Sequence, residues 1–306
     1  MKALNEVEFA SRGVICRAWL CPPESEVLRN DRGYPALVMA HGTSGVRSQL
    51  KQYIPHFTAA GMHVLVFDYR YFGDSDGEPR QLLSVRRQLQ DYVAALDFIR
   101  QVPGVDPDRV AVWGSSLSGG HVVEVAVADG RVAAVISQCP AMDNRANTVS
   151  LLKYAGLGMV MKLIGLGLVD AVRGMFGLAP RLIPAGAAPG KVALLMTPDT
   201  LPGMKAIEAP GWRNELCARF ILTLAFYRPG LKTDRLPCPI LIAICDYDSL
   251  VVPAASEAAA RRAGKRATLK HYPIGHFDIY LGEWFEQSVS DQVAFLQQAL
   301  VRLPAA

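Results

Sequence analysis

Val112-Trp113-Gly114-Ser115-Ser116-Leu117-Ser118-Gly119-Gly120-His121 sets three serines within four residues between glycines. Upstream, Asp108 to Trp113 reads as a short buried strand; downstream, His121 to Val127 reads as the start of a helix. A glycine-rich turn that joins a strand to a helix and carries serine is a specific signal for an exposed nucleophile. The G-x-S-x-small pattern centres on Ser116. A sharp turn there holds the middle residue in a strained conformation and needs small neighbours on both sides. Ser115 and Ser118 are then packing residues. A phosphate-binding loop is the competing reading, but G-x-x-x-x-G-K is absent.

Working outward, short apolar runs alternate with helical spacing. Val7 to Phe9 and Val14 to Leu20 suggest a hairpin. Ala36 to Ala40, Met62 to Phe67, Val132 to Ser137, Ile240 to Ile244 and Ala267 to Tyr272 read as further strands. Helices are expected over Gln49 to Ala60, Gln81 to Arg100, up to Ala128, Ala254 to Ala263, and through Val289, Val293, Phe295, Leu296 and Leu300 at the end. This alternation predicts an α/β fold, a mostly parallel twisted sheet with helices on both faces.

The regularity breaks between Asn144 and Arg235. Residues 1-143 and 236-306 are therefore expected to form the core, and 144-235 a helical insertion. Lys153, Lys162, Asp170 and Arg173 divide its apolar run into pieces shorter than the ~18 residues of a membrane span, so no span is expected. Such an insertion must bury its apolar face somewhere, and a lid over a hydrophobic pocket is the leading expectation. A structural subdomain or a homodimer surface is the alternative.

Composition allows this fold and narrows the function. The chain has 306 residues, 51% of them hydrophobic, and a formal net charge of +4. Basic residues are spread along it, so nucleic-acid binding is not expected. Six cysteines form no C-x-x-C pair, and histidine and cysteine do not cluster at metal-ligand spacing. Met1 to Glu6 lack the apolar run of a signal peptide. A reduced, cytoplasmic protein without metal or cofactor is expected.

Serine at its free pKa needs a base, and the base an orienting group. Ile240 to Ile244 leads into Cys245-Asp246-Tyr247-Asp248-Ser249-Leu250-Val251-Val252-Pro253, and Tyr272 leads into Pro273-Ile274-Gly275-His276-Phe277-Asp278. Both loops leave the carboxyl edge of the sheet, where Ser116 also sits. Asp143, just past the strand ending near Ser137, is a rival acid.

Together with His41-Gly42-Thr43-Ser44-Gly45 and the stretch Phe67 to Gly77, these segments resemble the α/β-hydrolases over nearly the whole chain outside the insertion. Ser118 departs from the commonest family pattern, which has glycine there. The resemblance implies a triad of Ser116, Asp248 and His276, with Asp248 preferred over Asp246. It also implies an oxyanion hole built from the backbone N–H groups of Leu117 and Thr43. His41, His121, His63, His56 and His271 are expected to be structural or exposed. The similarity is strongest to esterase, dienelactone-hydrolase-like and acyl-peptidase-like branches, implying a small-molecule ester, and the apolar insertion, rich in Leu, Met, Val and Gly with few carboxylates, favours a neutral or hydrophobic acyl group. A thioesterase or acyltransferase, and a ligand-binding homologue without turnover, are the alternatives.

Overall fold

The computed structural model describes residues 4-301; Met1 to Ala3, the start of the segment read for a signal peptide, lie outside the described residues. Ten strands and eight α-helices follow in order. Strands β1 (Asn5–Ser11) and β2 (Val14–Cys21) form an antiparallel hairpin. The rest of the main sheet comprises β3 (Tyr34–Ala40), β4 (His63–Phe67), β5 (Val105–Ser115), β6 (Ala134–Gln138), β9 (Ile240–Cys245) and β10 (Ala267–Tyr272). They run parallel to one another, and the sheet order is β1-β2-β4-β3-β5-β6-β9-β10.

Helices α2 (Val85–Ile99), α3 (Leu117–Asp129) and α7 (Pro253–Ala263) cover one face; α1 (Ile54–Ala59) and α8 (Gly282–Val301) cover the other. The central strands are buried on both faces, which is why they read as unbroken apolar runs. Val38 and Val112 point into one hydrophobic cluster, while Leu37 and Trp113 point into the other.

Two expected helices differ. Gln49 to Ala60 is a 3₁₀ segment (Arg47–Tyr53) followed by the short α1. The helix read from Gln81 begins only at Val85. Gln81 has φ +62°, its N–H donates to the Tyr71 carbonyl and its side chain to the carbonyls of Arg213 and Glu215. A tertiary tie to the insertion outweighs local helical spacing.

The segment 144-235 opens with a helical stretch and continues with little regular structure. Helix α4 (Asn144–Met175) consists of two helical pieces joined at a kink, where Gly156 has non-helical φ 81° and ψ 162°. Its charges do not divide it: Lys153 and Lys162 point to solvent, and buried Asp170 accepts from Arg219 Nε at 2.7 Å. Length and composition alone would let this stretch cross a membrane. In the fold it packs one stripe, Leu163, Gly167 and Asp170, at helical spacing. The remainder, with the short helices α5 (Thr200–Ala206) and α6 (Ile221–Leu224) and the ribbon β7 (Leu182–Ile183) and β8 (Leu216–Cys217), is mostly irregular rather than helical.

Candidate active site

Ser116 lies between β5 and α3 with φ 56° and ψ −119°, a left-handed backbone that costs a non-glycine residue about 1–3 kcal/mol. The surroundings hold it there. Its N–H donates to the Gln138 carbonyl at 2.9 Å, and its carbonyl accepts from Gly119 at 3.0 Å and Ala141 at 2.9 Å. Close packing explains the flanking glycines: a Cβ on Gly114 would lie 2.1 Å from the Ser118 carbonyl oxygen, and one on Gly119 2.7 Å from Pro140 Cβ. Ser116 immediately precedes Leu117, the first residue of α3, whose N–H has no intrahelical acceptor and adds to the positive end of the helix dipole.

The two other serines are spoken for. Ser115 Oγ bonds Tyr280 Oη and lies in a buried network through Gln138 Nε2 at 3.2 Å. Ser118, where the family's commonest pattern has glycine, shares a 2.6 Å hydrogen bond with Tyr69 Oη. The extra side chain is thus accommodated by a partner instead of distorting the turn.

His276 follows β10 and is 3% exposed. Its Nδ1 is 2.6 Å from Asp248 Oδ2, while Asp248 Oδ1 accepts from the N–H groups of Leu250 at 2.8 Å and Val251 at 2.9 Å. These bonds fix the carboxylate and hence the ring. Burial opposes a charged imidazolium, but the Asp248 charge and hydrogen bond, with the negative charge of Cys139 and Asp199 nearby, prevail and raise the His276 pKa from 6.5 to about 9. Ser116 and His276 line a common small cavity with Gly42 and Thr43. Gly42 approaches closely: a Cβ there would be 3.0 Å from Ser116 Cβ.

Other candidates are engaged elsewhere. Asp143 caps α4 by accepting from Arg145 and Ala146 and pairs with Arg228 at 2.8 Å. Asp246 Oδ1 meets His271 Nδ1 at 2.7 Å on the surface. His121 sits between Tyr227 Oη at 2.8 Å and Gln88 Oε1 at 3.0 Å, and burial drives its pKa down to about 3. His41 contacts the Gly42 carbonyl through Nδ1 and packs edge-on against Tyr69; burial lowers its pKa to about 4. His63 is the buried first residue of β4, and His56 packs against Phe285.

Beside Ser116 opens a second cavity of about 250 Å³ whose floor is Thr43, Ser116 and Leu117 and whose walls come largely from the insertion. Polar residues occur on that wall, but several are engaged: Asn144 Nδ2 donates to the Tyr227 carbonyl, Asn147 Oδ1 accepts from Val252, and Thr148 Oγ1 donates to the Asn144 carbonyl. Leu151, Leu194, Met196, Phe220 and Leu224 leave the interior mainly apolar.

Sequence reasoning missed the strap that crosses the site. Ser249 Oγ donates to Asp199 Oδ1 at 2.6 Å and lies 2.9 Å from Thr197 Oγ1, while Gly203 packs onto the Phe277 ring so tightly that a Cβ would come 2.1 Å from it. The acid and histidine loops are thereby tied to the insertion. Its only sequence signal is a polar serine directly after the acid.

Comparison with known proteins agrees with this architecture. The chain is 42% identical over 298 residues to the quorum-quenching protein AidA of Acinetobacter baumannii, covering 96% of this chain and 94% of that one. It is 29% identical over 282 residues to the thiohydrolase aneE of Aspergillus aculeatus, covering 87% and 86%. The crystal structure of the α/β hydrolase GrgF from Penicillium sp. superposes with a TM-score of 0.83 at 22% identity, covering 98% and 99%. The profile of the alpha/beta hydrolase family matches residues 37–283. With its parallel sheet and its serine at the strand-to-helix turn, the chain belongs to the alpha/beta hydrolase family.

Proposed function

We propose that this hydrolase cleaves a carboxylic ester of a hydrophobic acyl group through an acyl-enzyme on Ser116. The observation that carries the reading is the strained Ser116 turn, which shares a cavity with His276, itself hydrogen-bonded to Asp248, and opens onto an apolar chamber. In this mechanism His276 Nε2 takes the Ser116 proton as Oγ attacks the carbonyl carbon. Asp248 holds the Nδ1–H tautomer and stabilises the imidazolium. Charge then develops on the carbonyl oxygen, where the N–H groups of Leu117 and Thr43 stabilise it. His276 returns the proton to the leaving alkoxide, and a water deprotonated by the same ring releases the acid. The raised His276 pKa keeps the imidazolium favourable during both tetrahedral steps. No cofactor is required by this chemistry.

A thioester substrate is the second reading, favoured by the similarity to a protein named a thiohydrolase. Turnover of matched acyl esters and acyl thioesters by wild type and Ser116→Ala tests both. Loss of both activities in the variant, with the larger kcat/KM on the oxygen ester, is expected. A larger kcat/KM on the thioester moves the assignment to the second reading, and unchanged ester turnover in Ser116→Ala refutes the mechanism.

A further inference from the structure

The space around Ser116 continues beyond the chamber that adjoins it. The small cavity holding His276 shares Thr43, Ser116, Leu195 and Leu250 with the 250 Å³ chamber. That chamber in turn shares Thr148, Leu151, Leu194 and Leu224 with a further cavity of about 280 Å³ within the insertion. The far cavity is built from α4 through Val160, Leu163 and Ile164, and from α6 and its C-terminal turn through Ile221, Leu222 and Ala225. Thr148 is its one polar lining residue among those described, and its hydroxyl donates to the Asn144 carbonyl within the helix. The far cavity therefore offers a ligand almost nothing but hydrocarbon contact.

The order of these spaces has a chemical direction. His276 must protonate the leaving group, so the leaving group lies in the small cavity beside it, and the acyl chain extends the opposite way, toward Leu151 and Leu224. Resting on the acyl-transfer reading, we propose that the two larger cavities are one acyl tract, and that the natural substrate carries a long unbranched acyl chain whose tail occupies the far cavity between α4 and α6. Leu151, Leu194 and Leu224 form the partition the tail passes. Each methylene moved from water into such a site adds transfer free energy, so long chains are selected by the far cavity and short chains never reach it.

The test is a chain-length series of p-nitrophenyl esters, kept below their micellar concentrations, with wild type and two variants that fill the far cavity from different elements, Ile164→Trp and Ala225→Trp. Wild type should turn over the dodecanoate with a kcat/KM at least about tenfold above that for the butyrate. Each variant should lose about tenfold or more on the dodecanoate while staying within about twofold of wild type on the butyrate. Equal loss on both esters in variants of unchanged melting temperature, or no loss on either, overturns the tract. Should neither variant fold, the wild-type series decides alone: a kcat/KM that peaks at the butyrate and falls at the dodecanoate refutes the proposal. Butyrate turnover with that fall leaves the Ser116 mechanism standing, whereas absence of turnover on every ester, together with no fluorophosphonate adduct on Ser116, removes both.

Discussion

Replacing Asp248 by asparagine separates charge and tautomer control from shape. The Asp248 side chain is 1% exposed, with one oxygen on two backbone N–H groups and the other 2.6 Å from His276 Nδ1. Asparagine keeps that volume and can keep the carbonyl on Leu250 and Val251, which turns its NH₂ toward Nδ1. The ring must then present a lone pair at Nδ1 and carry its proton on Nε2, the wrong tautomer for accepting from Ser116. Loss of the carboxylate also removes an attraction of about 4 kcal/mol at ~4 Å and an effective dielectric of about 20. That attraction is the largest of the influences that hold His276 at about 9 against burial, ahead of those of Cys139 and Asp199. The expected result is a kcat about 10³- to 10⁴-fold lower, or about 4–5 kcal/mol of transition-state stabilisation. The kcat/KM midpoint should move to lower pH at the same time. Steady-state ester hydrolysis from pH 5 to 10, with melting temperature as a control, reads both. Asp143→Asn is the comparison: asparagine caps a helix about as well as aspartate, so its expected loss is confined to stability, at most about 1 kcal/mol for the weakened ion pair with Arg228. Near-wild-type kcat in Asp248→Asn, or collapse of kcat in a folded Asp143→Asn, would refute the assignment of the acid.

In wild type, kcat/KM should rise with pH on the alkaline side of 6.5 as His276 loses its proton, because only the neutral ring accepts from Ser116; a midpoint below 6.5 contradicts the pairing. The same group links stability to pH: with a folded pKa raised to about 9, its contribution is fully present below 6.5 and lost as pH rises through about 9, which denaturant melts across that window detect as a falling midpoint. Asp91→Ala should lower stability by about 3–5 kcal/mol, since Arg70 Nε, 2.6 Å from Asp91 Oδ1, would keep a buried charge without its partner; a change under about 1 kcal/mol in chemical denaturation counts against that. Gly42→Ala should preserve the melting temperature but cut kcat about 10²-fold, because the new Cβ would stand 3.0 Å from Ser116 Cβ and 3.1 Å from the Ser115 carbonyl; unaltered kcat would show that the loop yields.

The strands were legible because burial on both faces leaves uninterrupted apolar runs such as Val110 to Trp113, and the fold class follows from their alternation with helices. The candidate site has a related signature: Ser116 stands directly past β5, and Asp248 and His276 lie in the loops that follow β9 and β10, so sheet order alone brings these segments to one edge. The insertion was not legible. After α4 its backbone is held by individual contacts, among them Asn214 with both backbone groups of Gly186 and Arg219 with Asp170, and contacts between distant residues leave no periodicity. The false helix start at Gln81 has the same cause. So does the strap from Thr197 to Asp199: a serine–aspartate hydrogen bond across 50 residues has no local signature. Ser118 shows the converse. It departs from the family pattern in sequence, and only Tyr69 Oη at 2.6 Å explains how the turn keeps its shape.

The most direct test of the central claim is intact-mass spectrometry of wild type and Ser116→Ala after exposure to a fluorophosphonate. A single adduct on wild type, none on the variant, and ester turnover that disappears in step with labelling is the predicted result. An adduct of equal yield on folded Ser116→Ala, or full ester turnover in stoichiometrically labelled wild type, would contradict an activated nucleophile at Ser116.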